Sequence, residues 1–202
     1  MNTPDFYRDA PKITLYDPLA EFLGAAEAGV LEYGYLDAVK LAGHSCPTVA
    51  GAWLMTRKAL ATLYGDELPV RGMIKAEFRD GQADGVTGVI ANVVGLLTGA
   101  TQSGGFKGIG GKFDRRNLLH FNAGISGEIR LSRLDTGMSV EVGYRPELVP
   151  SSAAMKELMQ KTMMGVASPE ERREFGVLWQ ERVRRILIDH ADDARLVVVS
   201  GG

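Results

Sequence analysis

The chain has 202 residues, 45 % hydrophobic and 24 % charged, a composition for a packed core in one large domain or in one domain with an appendage. A net charge of −2 leaves no basic excess with which to grip phosphates, so no nucleic-acid partner is expected. A single cysteine excludes an intrachain disulfide and a self-contained multi-cysteine zinc finger.

The opening stretch MNTPDFYRDAPKITLYDPLAEF has no basic region leading into an apolar one, so no signal peptide is read there. No apolar run approaches the roughly 18 residues a membrane span needs. No membrane partner is expected, and the cytoplasm is the default compartment. Asp17 and Pro18 read as an N-cap and a first-turn proline, with Leu19, Phe22, Leu23 and Ala26 at helical spacing, predicting a helix to about Ala28. VLEYGYLDAVKLAG begins strand-like. CPTVAGAWLMTRKALATLYG reads as a helix closed by Gly65.

Beyond it, Ile74, Ala76 and Phe78 alternate with Lys75, Glu77 and Arg79, the pattern of a half-buried strand. Val86 to Thr98 is apolar and rich in small residues, as in a buried helix, and QSGGFKGIGGKF is a glycine loop. RNLLHFN predicts a short strand, and GEIRLSRLDTGMSVEVGY a hairpin turning near Asp135 and Gly137. After a break at RPELVPSS come a helix from about Ser152 to Met164 and a second one opened by Ser168, Pro169 and Glu171, a capping box with a first-turn proline. Phe175, Leu178, Trp179, Val183, Ile186 and Leu187 form its apolar stripe, and RLVVVSGG predicts a final strand. The whole is an α+β fold: mixed helices on an antiparallel-rich sheet, with residues 1–150 as the core and 151–202 as a helical C-terminal extension packed on the core or on a partner copy.

The chemistry concentrates in AGHSCPTVAGAW. With Pro47 as first helical residue, Cys46 is the N-cap, where unpaired amides and the helix dipole favour a thiolate. His44, two residues earlier on an extended segment, projects to the same side. Three uses follow: two ligands for zinc or another transition metal, a histidine-activated cysteine nucleophile with Cys46 as the catalytic residue, or Cys46 or His44 as axial ligand to haem. Against them stands an inert reading, Cys46 as a small buried apolar residue and His44 as a loop histidine.

A metal needs more ligands than this pair, and His120 on its short strand is the first candidate, ahead of Glu77 and Asp80. His190 reads as a dipole partner at a helix C-terminus. For haem, Trp53, Met55 and Phe106 are candidate walls; for an enzyme, Asp80 or Asp84 is the candidate orienting acid. The glycine loop invites phosphate, but Phe106 stands at the first glycine position of a P-loop and Phe113 where Ser or Thr follows its lysine. It reads as a flexible loop, with Lys107 as a helper to a small-molecule or cofactor site.

GHSCPTVAGAW followed by ALATLYG resembles the first signature block of the FmdE-like family of formylmethanofuran dehydrogenase subunits, and NVVGLLTGATQSGGFKGIGGKF resembles its second. The resemblance covers roughly residues 35 to 145. It implies an α+β core that dimerises and a metal-associated cleft in which His44 and Cys46 take part. Thr98, Gly99, Thr101, Lys107, Gly111 and Lys112 match the second block, placing Thr101 and Lys107 among the implied cofactor-binding residues. Thr48 replaces a glycine, Asn92 stands at the expected acidic position and Ala100 where a cysteine is frequent; the last two remove a carboxylate and a thiol. The expected function is metal binding in an accessory or carrier role, as a homodimer. Met155 and Met159, four residues apart on one helix face, suit an adaptable contact surface.

Overall fold

A computed structural model describes residues 3–201. After a single turn, α1 (Phe6–Asp9), comes a small antiparallel ribbon of β1 (Ile13–Tyr16) and β2 (Val30–Tyr33), interrupted by α2 (Pro18–Phe22). Helices α3 (Tyr35–Ala42) and α4 (Pro47–Tyr64) lead to β3 (Ile74–Phe78), α5 (Thr87–Thr98) and β4 (Leu119–His120). The hairpin β5 (Ile129–Arg133) and β6 (Ser139–Tyr144) precedes the helices α6 (Ala153–Met163) and α7 (Pro169–Arg184), and β7 (Val197–Ser200) ends the chain. The main sheet has the order β4-β3-β5-β6-β7 and is antiparallel except where β3 pairs with β4. The fold is mixed α+β with a helical C-terminal part, as expected.

Alternation makes the sheet two-faced. Ile74, Ala76, Phe78, Ile129, Leu131, Val140 and Val142 are buried, and α4 and α5 pack against the sheet. The alternate positions carry charge: Glu77 pairs with Lys75 at 3.1 Å and with Arg130 at 2.9 Å.

The two core helices run the same way. The first turns of α4 lie against Tyr144 at the end of β6, and its last turn meets β5, where the Leu63 carbonyl accepts from Arg133. The start of α5 shares a cavity wall with Phe78 and Ile129, and its end accepts from Gly72, just before β3, through the Thr98 carbonyl. Both helices therefore begin at one end of the sheet and finish at the other.

The helix expected from Pro18 to Ala28 stops at Phe22. Gly24 takes a left-handed φ of +66°, and Ala28 and Gly29 are left-handed too, so the helical hydrogen-bond ladder cannot continue. The strand-like VLEY is β2, but the following YLDAVKLA is a helix, opened at Gly34, whose amide donates to the Asp37 carboxylate at 2.9 Å.

The C-terminal part folds back on its own core. Met155 and Leu158 of α6, Val183 of α7, and Ile186 and Leu187 in the wider π-turn that ends it are buried, and β7 completes the sheet beside β6. Met163 and Met164 stay exposed. No helix is long and apolar enough among the described residues to cross a membrane.

Candidate functional site

The corner between α3 and α4 is two residues long. Gly43 closes α3 in a left-handed conformation, φ +74°, and Cys46 opens α4 in extended backbone, leaving His44 and Ser45 between them. Pro47 is the first helical residue, and the Val49 amide points at Cys46 Sγ, 3.5 Å away. The thiol thus occupies the N-cap of an 18-residue helix, as the sequence implies.

Ser45 anchors this corner. It is 6 % exposed; its hydroxyl lies 3.0 Å from the Tyr35 hydroxyl, and its carbonyl accepts from Trp179 Nε1 at 3.0 Å and Gln180 Nε2 at 3.2 Å. Gln180 is fixed in turn by Tyr7, whose hydroxyl donates to its side-chain oxygen at 3.0 Å. Helix α7 of the C-terminal segment therefore pins the backbone between the two candidate ligands.

His44 is exposed, with Nδ1 2.9 Å from the Ala42 carbonyl at the end of α3. An oxygen that can only accept makes Nδ1 the donor, which in the neutral ring leaves the Nε2 lone pair free. Cys46 is partly buried. Tyr144 lies against the first turns of α4: a Cβ on Gly51 would run into its ring, so only glycine admits it. The buried Tyr144 hydroxyl has no hydrogen-bond partner among the described residues. Burial pushes the Tyr144 and Tyr35 phenols far above their ordinary range, and the nearby Cys46 pushes both the same way, so both hydroxyls keep their protons.

The other sequence-derived candidates lie elsewhere. His120 is exposed on the edge strand β4, in register with Glu77, with Nε2 on the Asn117 carbonyl at 2.8 Å. Glu77 and Asp80 are held by Arg130 and Arg79. Thr101 ties the root of the glycine loop, donating to the Arg115 carbonyl at 2.6 Å, and Lys107 is exposed within that loop. His190 contacts Asp193 at 3.2 Å. Among the described residues no three His, Cys, Asp or Glu side chains gather in a metal-binding group; His44 and Cys46 share the corner, two residues apart in the chain. Trp53 and Met55, candidate walls for a macrocycle, are fully buried core residues, and Trp53 Nε1 donates to the Pro11 carbonyl.

Sequence reasoning missed the buried ion pairs at the opposite end of the sheet. Asp17, 3 % exposed, not only caps α2 but accepts from Arg115 at 2.7 Å and from Arg71 at 3.0 Å. Burial alone would push its carboxyl up; the hydrogen bonds from the two guanidiniums outweigh this and hold it below the ordinary carboxylate value. The one available signal was an aspartate already explained by its capping role, which says nothing of distant arginines.

No known protein family matches the sequence, and no curated protein is significantly similar to it.

Proposed function

We propose that the corner between α3 and α4 binds a soft divalent metal ion, zinc or another transition metal, through His44 Nε2 and the Cys46 thiolate, and that the chain serves as an accessory or carrier protein. One observation carries this: His44 Nδ1 donates to the Ala42 carbonyl at 2.9 Å, leaving Nε2 free. A metal-ligating imidazole characteristically commits its other nitrogen to a carbonyl or carboxylate in this way, which fixes both tautomer and ring orientation. The hydrogen bonds on Ser45 add rigidity between the two donors. Two ligands fall short of the three or four of a resident zinc site. Water, a small-molecule ligand or the same corner of a second copy supplies the rest, which suits an ion that is passed on. The likeness to the FmdE-like family points the same way and rests on the two motif blocks alone.

The test is metal analysis with an ultraviolet-visible spectrum of the purified chain, beside His44→Ala and Cys46→Ala. Near-stoichiometric metal lost in both variants supports the reading, and a Soret band lost in both assigns haem instead. Parent protein that takes up neither zinc nor haem when offered ends both.

The surroundings of Cys46 favour a second reading, a nucleophilic thiol. It sits at the N-terminus of a helix whose first turns pack on Tyr144, and the buried hydroxyl of that tyrosine has no acceptor among the described residues. Fast alkylation of Cys46 by iodoacetamide at pH 6 in metal-free protein would favour it, since free thiols ordinarily titrate near about 8.5.

A further inference from the structure

At the far end of the sheet a cavity of about 380 Å³ opens between the glycine loop and the start of β3, a volume suited to a small ligand. Its walls combine cations with apolar surface: Arg71, Lys112 and Arg115 on one hand, Met73, Phe113 and Leu134 on the other.

The charges do not cancel. Asp17 is one carboxylate serving two guanidiniums. Asp114, the acid in the wall, is taken by Arg116 at 2.7 Å, and Lys112 has no ion-pair partner among the described residues. Arg115 is 5 % exposed, and only its Nη2 is bonded; Nε and Nη1 are buried without an acceptor among the described residues. Buried donors are ordinarily satisfied, and a guanidinium with two idle nitrogens is costly to keep.

The backbone is shaped around that guanidinium. A Cβ on Gly72, itself part of the cavity wall, would stand 2.5 Å from the Arg115 guanidinium carbon, and one on Gly99 would collide with Nη1. Both glycines are left-handed, at φ +86° and +73°. Phe113, a bulky residue, is held at φ +65° with its ring beside that of Phe22.

We propose that this cavity binds a small organic oxyanion, with a phosphate or carboxylate head held by Arg71 and Lys112 in front of the buried charge of Arg115, and an apolar body on Met73, Phe113 and Leu134. This goes beyond the metal reading and is independent of it. Titration calorimetry of the full chain with phenyl phosphate and with benzoate tests it, with inorganic phosphate and phenol as the headgroup and the body alone. One saturable site with a dissociation constant of about 1 mM or tighter is expected for at least one oxyanion, and the tighter of the two identifies the head.

Lys112→Glu, on an exposed side chain that the fold does not need, should weaken binding about tenfold or more, the size of one charge-assisted hydrogen bond. His44→Ala and Cys46→Ala should leave it unchanged. No saturable heat with either oxyanion, or equal affinity in Lys112→Glu and the parent, overturns the proposal. Inorganic phosphate bound as tightly as phenyl phosphate overturns the part given to the apolar wall.

Discussion

Where α4 begins, the chain is held by neutral hydrogen bonds: two tyrosine hydroxyls, a serine, an indole and a carboxamide converge around Ser45. Where α5 ends, charge holds the chain, with Asp17 gripping Arg115 and Arg71, and Arg71 also donating to the Leu96 carbonyl. Neutral bonds fix geometry without committing the thiol or the free imidazole nitrogen, so that end can present ligand atoms. The charged end stores an excess of positive charge that one carboxylate does not neutralise. The same pair of helices therefore carries the corner proposed for a soft cation at one end and the cavity proposed for an oxyanion at the other.

The sharpest way to break this contrast is to remove the shared carboxylate. Asp17→Ala leaves a buried guanidinium without its counter-ion and should cost about 3–5 kcal/mol, measured by urea unfolding. The same ion pairs should make the charged end sensitive to acid. Asp17 titrates lower in the fold than in the unfolded chain, so its contribution is fully present above the unfolded value, about 3.9, and is lost as pH falls through the folded value. Stability of the parent should therefore drop below about pH 4, and Asp17→Asn should flatten that drop. An Asp17→Ala variant within about 1 kcal/mol of the parent would mean the triad is not what holds this end.

At the neutral end the largest effect should come from shape. Gly51→Ala adds a methyl where the Tyr144 ring already stands, an overpacking worth about 1–3 kcal/mol, partly offset by alanine's better helix propensity. In a Tyr144→Ala background the same substitution should be neutral or stabilising, and a double-mutant cycle reads the difference. Trp179→Phe removes the indole N–H from the Ser45 carbonyl while keeping an aromatic ring. It should cost about 1 kcal/mol. If α7 positions the metal ligands, it should also weaken metal affinity about tenfold; unchanged affinity would reduce α7 to packing.

Much of the fold was legible because it is encoded locally. Pro47 after Cys46, Ser168 with Glu171, and the alternation from Ile74 to Phe78 each declare an element within a few residues, and each is found. Helix α3 was hidden because its start follows directly on a strand and is opened by a glycine, with Asp37 supplying the cap from inside. Strand β1 is only four residues long, too short for alternation to stand out. The corner's two ligand candidates were visible as H-x-C, but what fixes them is Trp179, 134 residues away from Ser45. The triad is more distant still in kind: Asp17 and Arg115 are separated by 98 residues, and neither carries a local sign of the other.

The smallest effect should come from the Tyr144 hydroxyl, and it separates the two readings of Cys46. Buried and without an acceptor among the described residues, that hydroxyl adds desolvation cost and no hydrogen bond, so Tyr144→Phe should change stability by no more than about 0.5 kcal/mol and in the stabilising direction. If the corner only holds a metal through His44 and Cys46, metal content should be unaffected too, because a protonated phenol contributes no ligand. If Cys46 instead attacks an acyl carbon and the idle hydroxyl reaches the developing oxyanion, the variant should slow acylation of Cys46 by an activated ester, with phenoxide as leaving group, while leaving displacement of iodide from iodoacetamide unchanged. Tyr144→Phe that is silent in both reactions would leave the hydroxyl no part in cysteine chemistry and weigh the corner toward metal binding.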